Sequence, residues 1–552
     1  MARAFALGAC AMLASSALSA KPAPQTFEEF KRHTLARFSY GPTADDLSSI
    51  QNQNDLDAWF AGQLTAPATL YTADEARWIS LNLNAFQPLV AFPPTTPWGV
   101  TELERMQLYL AINSDQQLRE VMTYFWESFF STNSRTIFGN EAQQETSTAG
   151  VFIPKQVSGQ ASGFLFQENE LYRTNALSTF RNILVASFDS AAMRAYLNVT
   201  AMYFGDPNED YARELLELHT IGPDNGEGVE SYNPVDINAM AQLLSGRGTN
   251  WDTGAPLFND ANYEPPPPST SSNFYLFDNG ANPYLDRFEV INDMDSGRNI
   301  YRLLDHLAQQ TQTKHFVCNR MIEFFIGEPV ALDAPVMLAC VAAWDAGSGD
   351  GDIKEVLRAI WESDEFADSA SERLRIKSPF EFAMSQARLL GGNVHGAPTA
   401  QAESLLRTNQ FMWSSGQRLF LHPSPDGYSI KSGDQVSTAA HYLRYELASV
   451  VGSPVTNDAS QELSFDLRAL VERLIADDPL LVLADHQDVA LAILRHGLGT
   501  RYGSLERAQV EFFLDSGLVL QPGSWDPAAS DANDRIELAF AYVAALPQSF
   551  EK

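Results

Sequence analysis

The densest set of side chains able to do chemistry lies between residues 206 and 222, where Glu209, Asp210, Glu214 and Glu217 surround one cation, Arg213. Arg213 follows Glu209 by four residues and precedes Glu217 by four. On a helix these positions share a face, so the guanidinium can be gripped by either carboxylate and partly buried between them. Such a set can ligate a divalent metal or move a proton, with Arg213 keeping one carboxylate ionised. A hydrolase built this way would use Glu214, Glu217 and Glu127 as acid, base or metal ligands. The plainer reading is a solvated row of ion pairs. His219 falls on the opposite, apolar side with Tyr211, Ala212, Leu215 and Leu218, the place of a core histidine rather than a ligand.

Other metal patterns are thinner. Asp278, Asp293 and Asp295 lie in a segment that could hold calcium without an EF-hand, since the twelfth position counted from Asp293 is Leu304 and not Glu. Asp352 reads better as a helix cap before Ile353. The chain has no His-Glu-x-x-His, no Cys-x-x-Cys and no Gly-x-Ser-x-Gly, which removes support for zinc-hydrolase and α/β-hydrolase readings.

The elements that must position these residues are helices. Asp206 or Asn208 can cap the charged stretch, Pro207 suits a first turn, and Gly222 is placed to end it. Apolar periodicity predicts further helices from residue 26 to 64, one long helical region over 101–132, and others near 168–187 and 190–198. A helix begins at the Asn233-Pro234 cap, and another at Ser378, with Glu381 completing a capping box around Pro379. Residues 250–297 break the pattern: aromatics and the run 265–268 of four prolines predict an ordered, irregular excursion with short strands, and the most functional surface. Strand patterns are otherwise scarce and no repeat recurs. The reading is an all-α, multi-helix, non-repeating bundle over 21–552, with a core over 100–450 and a C-terminal helical part over 455–552.

The 206–222 stretch resembles the signature helix of a bacterial family known as domain of unknown function 1800, which reads Asn-Glu-Asn-(Tyr/Phe)-Ala-Arg-Glu-Leu-Leu-Glu-Leu-(Phe/His)-Thr-Leu-Gly. Segments 122–130, 173–184, 314–325, 352–366, 377–382, 416–420 and 423–428 agree with that family in the same order. The resemblance brings no activity, because the family has none assigned. It does imply a divergence: the family's usual histidines, in Trp-x-x-His-Phe, Arg-x-His-Ala-Leu-Gly and His-Asp-x-Gly-x-Lys motifs, correspond here to Phe129, Asn175 and Phe277. Phenylalanine neither ligates a metal nor carries a proton.

Residues 1–20 have one positive charge, a short apolar run and small residues before Lys21, the pattern of a cleaved secretory signal. Leu7-Gly8-Ala9-Cys10 also resembles a lipoprotein box, although only nine residues precede the cysteine. Cleavage leaves Cys318 and Cys340, an even pair that permits one disulfide in an exported chain; two buried thiols are the other reading. A formal charge of −32 repels phosphate backbones and anionic headgroups, so nucleic acid is not an expected partner, and no transmembrane segment is expected in the mature chain. An extracellular polymer or protein is. The sequence thus reads as an exported periplasmic or extracellular protein with a binding or accessory role and a degraded ancestral site. The alternative is a carboxylate- or metal-dependent hydrolase of an extracellular polymer or ester, for which a divalent metal is the cofactor expected. Mass spectrometry of the exported protein should find a start after Ala17, Ser19 or Ala20. Material still beginning at Met1 would refute cleavage, and a lipid on Cys10 would replace release with anchoring.

Overall fold

The computed structural model of the protein describes residues 26–65, 69–82, 100–134, 145–146, 152–153, 159–199, 207–250, 253–258, 274–278, 282–290, 296–327, 329–346, 350–372, 375–394, 411–422, 424–435, 437–451, 463–516 and 525–552. The leader 1–20 with Cys10, and also Asp206, Asp293 and Asp295, lie outside them. The described chain is predominantly helical. In order it forms α1 (Phe27–Phe38), α2 (Ala44–Ser49), α3 (Gln53–Gln63), α4 (Ala73–Asn82), α5 (Val100–Asn113), α6 (Gln117–Phe129), β1 (Glu145–Thr146), β2 (Phe152–Ile153), α7 (Gly159–Asn175), α8 (Phe180–Asp189), α9 (Ala191–Tyr196), α10 (Asp210–Glu217) and α11 (Pro234–Leu244). Then come β3 (Arg247–Thr249), β4 (Pro256–Phe258), β5 (Phe274–Leu276), β6 (Phe288–Val290), α12 (Ser296–Gln309), α13 (Thr311–Phe325), α14 (Pro335–Trp344), α15 (Ile353–Trp361), α16 (Asp364–Glu372) and α17 (Pro379–Leu389). The chain closes with β7 (Asn393–Val394), α18 (Thr438–Val451), β8 (Leu463–Ser464), α19 (Leu467–Asp477), α20 (His486–Leu498), α21 (Ser504–Ser516) and α22 (Ala532–Ala545). The strands pair two by two, antiparallel, β1 with β2 through β7 with β8.

Local chemistry sets many of these boundaries. Ser378 and Glu381 exchange side-chain and backbone hydrogen bonds across the first turn of α17, and Asn233 and Asp236 do the same for α11, each with proline in that turn. Asp352 accepts from Lys354 and Glu355 at the start of α15. The 250–297 excursion contains β4, β5 and β6, with Leu276, Phe277 and Phe288 buried. One expectation fails here. The helical region over 101–132 is two helices, broken at 114–116, because the Gln117 amide donates to the Ala111 and Ser114 carbonyls at 3.2 and 2.7 Å and so satisfies the end of α5.

A continuous apolar core runs from Phe38 to Phe550, with aromatic rings of α1, α6, α8 and α13 in stacked, edge-on and tilted contact. Cys318 of α13 and Cys340 of α14 are joined by a disulfide. Among the described residues no helix is long and apolar enough to cross a membrane.

The contact between α8, α14 and the start of α15 is especially tight. Gly351 has φ +82°, and a Cβ there would lie 2.6 Å from Trp344 and 2.8 Å from Phe180, both buried. Gly351→Ala should therefore cost about 2–4 kcal/mol in urea unfolding, from left-handed strain and overpacking together. A variant within experimental error of wild type would show that this contact yields easily.

Candidate functional site

Four residues of α5, α6 and α7 build a polar network into the core, two of them charged. Glu120 of α6 and Arg173 and Asn169 of α7 are buried, as is Gln107 of α5. Arg173 Nε donates to both Glu120 oxygens at 3.2 and 3.0 Å, its Nη2 donates to Gln107 Oε1 at 3.1 Å, and its Nη1 reaches Asn169 Oδ1. Burial alone would lower Arg173, but Glu120, Tyr71 and Glu127 together more than offset it and the guanidinium is held firmly charged. Asn169 Nδ2 donates to Gln107 Oε1 at 3.1 Å and to Glu127, one of the sequence-predicted acids.

Glu127 lies seven residues after Glu120 on the same side of α6, yet its environment is different. It has an amide partner and, among the described residues, no arginine bonded to it, and burial pushes its carboxyl up to about 8 despite the Asn169 bond. Glu168 is likewise raised by burial to about 7, against hydroxyl donors Ser190 and Thr132, each at 2.8 Å. These are neutral or half-neutral acids at neutral pH, chemically able to donate a proton.

The signature stretch forms α10, shorter than expected at Asp210–Glu217, with the Asn208 side chain accepting from the Asp210 N–H at 2.7 Å. The predicted burial of Arg213 is overturned. It is 47% exposed, meets Glu209 at 3.3 Å, and leaves Glu217 to accept from the Tyr232 hydroxyl at 2.9 Å. The cause is the helix itself: Tyr211, Ala212, Leu215 and Leu216 are buried, so the charged face turns to water. Glu214 is raised by partial burial and by the nearby Glu217, with Arg213 opposing and Asp426 adding a further negative charge. Burial first, and then Glu214 and Asp426, push the Tyr196 hydroxyl up to about 12.

His219 is fully enclosed, its ring 5.1 Å from Phe130 and its Nδ1 without a hydrogen-bond partner among the described residues. Burial lowers it to about 3, so it is a neutral core histidine.

Glu127, Glu214 and Glu217 do not form one set. The charges acting on Glu127 are Arg173, Glu168 and Glu120, and those acting on Glu214 are Glu217, Arg213, Asp210 and Asp426. What links the two groups is the 424–428 loop. The Ser131 hydroxyl donates to the Pro425 carbonyl at 2.6 Å, and Gly427 sits so close to the Ser128 carbonyl that no Cβ would fit. Among the described residues no three His, Cys, Asp or Glu side chains converge as metal ligands. Asp278 is exposed, with Arg287 as its neighbour at 3.8 Å.

The three positions where the family's histidines were expected are taken up by structure. Phe129 is buried among Phe125, Trp126, Phe130, Phe180 and Phe316. Asn175 Nδ2 donates back to Leu171 of its own helix at 2.9 Å. Phe277 is buried at φ +61°, a strained conformation for phenylalanine, and its N–H donates to Asp236 at 2.7 Å.

Two stability measurements separate the buried from the exposed charges. Arg173→Met, which leaves buried Glu120 with Arg119 alone at 3.3 Å and strands Asn169 and Gln107, should cost roughly 3 to 5 kcal/mol, and Arg213→Ala under about 1. Comparable losses would contradict the difference in burial between the two arginines. Glu127 also predicts a pH effect with a definite sign. Its native value of about 8 stands above the ordinary 4.5, so its stabilising contribution is complete below the unfolded value and falls as pH rises toward 8. Glu127→Gln cannot ionise, so wild type should lose a few kcal/mol relative to this variant across that window. Parallel pH profiles would mean that Glu127 is charged in the core.

No curated protein and no solved structure matches the chain. The sequence model described as "Protein of unknown function (DUF1800)" matches residues 33–519, which is most of the chain. By that match the protein belongs to the DUF1800 family.

Proposed function

We propose that the protein is exported and acts as a binding or accessory protein whose ancestral site no longer performs chemistry. The observation that carries this reading is Phe129. At a position where the family resemblance places an imidazole, the chain puts a ring packed against five other aromatics, with nothing left to ligate or to titrate. Asn175 and Phe277 follow the same course, the first spending its amide on the Leu171 carbonyl and the second burying its ring while its N–H donates to Asp236. The leader-like residues 1–20 and the acidic composition support export, and an extracellular polymer or protein is the partner class.

One observation favours a second reading. Glu127 is held protonated near neutral pH by burial, as a general acid must be, and Glu214, beside Glu217, stands near Asp426 by the loop that touches the end of α6. A hydrolase of an extracellular polymer or ester would use them, with or without a divalent metal.

Turnover assays on polymer and ester substrates, run beside co-sedimentation with the same polymers, decide between these readings. The binding reading expects retention without product, unchanged in Glu127→Gln. Product formation by wild type that is lost in Glu127→Gln or Glu214→Gln, with the variants still folded, would overturn it.

A further inference from the structure

A cleft of about 700 Å³ opens between the N-terminal and C-terminal helices. It is bounded by the loop before α2, by α3, by the α5–α6 turn, by the end of α17 and by α19. Gln117 borders it at one end of α6, while Glu127 lies ten residues further on, about 15 Å along the helix axis. The cleft is therefore separate from the carboxylates of Glu127 and Glu214, and its chemistry is independent of theirs. Its volume suits a small organic ligand.

The walls are fixed by groups that are already fully engaged. Arg388 donates to the Gly41 and Ile112 carbonyls, both at 2.8 Å, and to Asp46 at 3.3 Å. Gln63 donates to the Asp115 carbonyl at 2.9 Å and accepts from the Leu118 N–H at 3.1 Å. These bonds hold four separate stretches of chain in one rim, so the groups left over there are preorganised.

Those remaining groups are mixed in character. Asp115 is exposed, and its carboxylate makes no hydrogen bond among the described residues. Asn113 spends its Nδ2 on the Tyr109 carbonyl at 2.9 Å, which leaves its Oδ1 as an acceptor. Arg473 pairs with Asp45 at 2.5 Å through Nη2, which leaves Nη1 as a donor. The lining also has an apolar part, to which half-buried Trp59 and the buried Ile112, Leu390 and Leu470 belong. An indole face with planar acceptors and donors around it matches a sugar ring, which has an apolar C–H face and a rim of hydroxyls that both donate and accept.

Charge narrows the class. Asp45, Asp46, Asp115 and Asp466 line the cleft against Arg388 and Arg473, an acid excess in a chain whose formal charge is −32. Uronic or sulfated saccharides would meet repulsion there. We propose that this cleft is a binding site for a short neutral oligosaccharide, with Trp59 as the platform and Asn113, Asp115 and Arg473 as the hydroxyl partners.

Isothermal titration calorimetry of the purified full chain tests this with maltotriose, cellotriose and triacetylchitotriose, and with trigalacturonate and spermidine as contrasts. At least one neutral trisaccharide should bind with millimolar or tighter Kd. Asp115→Ala and Arg473→Ala should each weaken it by about tenfold, the loss expected for one hydrogen-bonding partner. Both side chains are exposed, so thermal melts of these variants should match wild type and separate lost binding from lost folding. The proposal is overturned if no neutral trisaccharide gives a saturable signal, if trigalacturonate binds equally well, if spermidine alone binds, or if both folded variants bind like wild type.

Discussion

A charge can enter a helical core only when nearly every polar atom it carries is matched, and Arg173 imposes that condition on α5, α6 and α7 together. Its Nε takes both oxygens of Glu120, its Nη1 meets Asn169 and the Tyr71 hydroxyl, and its Nη2 meets Gln107. These partners come from three helices and from the chain just before α4. A register slip of one residue on any of the three helices would swing a partner by 100° and leave buried charge unanswered. The apolar contacts around them tolerate small shifts far better, since hydrophobic contact has no direction. The arginine fork therefore fixes the register, and the aromatic packing of Phe125, Trp126, Phe129 and Phe130 fills the space that this register leaves.

From this constraint the acids sort themselves by what surrounds them. Glu120 faces a cation, Glu127 an amide, Glu168 two hydroxyls, and Glu214 its neighbouring acids near the surface. The first is part of the scaffold. The second and third are raised by burial because hydrogen bonds from neutral donors do not compensate a desolvated charge as a guanidinium does. The same residue type thus supplies a scaffold ion and two proton reservoirs within one pair of packed helices, and the difference lies in the partners alone. The 424–428 loop, pressed against Ser128, is what brings a surface acid, Asp426, into the neighbourhood of Glu214.

How much of this the sequence discloses depends on the range of the interaction. Caps at Ser378, Asn233 and Asp352 are readable because donor and acceptor lie within three residues of each other. The break between α5 and α6 is not, since it rests on the Gln117 amide and on Gln63, which comes from another helix. Arg213 is instructive in a different way. The i±4 spacing showed which acids it could meet, and the helical wheel also set it opposite Tyr211, Ala212 and Leu215; the apolar side wins the core, so the charged side had to face water. The Glu120–Arg173 network was missed because its members are spread over α5, α6 and α7. Its only local traces are the spacing of seven from Glu120 to Glu127 and of four from Asn169 to Arg173.

The buried arginines also account for the character of the surface. Arg37, Arg173, Arg194, Arg375 and Arg444 are all essentially inaccessible. Arg37 donates to Ile326, Arg194 to Thr249 and Gly254, Arg375 to the Phe324 carbonyl as well as to nearby Glu381, and Arg444 to Gln435 and Lys377, so each ties together segments distant in the chain. Guanidinium suits this work because its planar fork satisfies several carbonyls at once and it resists losing its proton even where burial lowers it, as in Arg194 and Arg444. Every cation used this way is withdrawn from a chain that holds 37 basic residues against 69 acidic ones. The outside is consequently more one-sided than composition alone implies, because among the described residues a larger share of the bases than of the acids is buried, Glu120, Glu127, Glu168 and Glu381 being among the acids inside. Selection against polyanions is then a property of the scaffold as a whole, already in force before a ligand reaches any particular cleft.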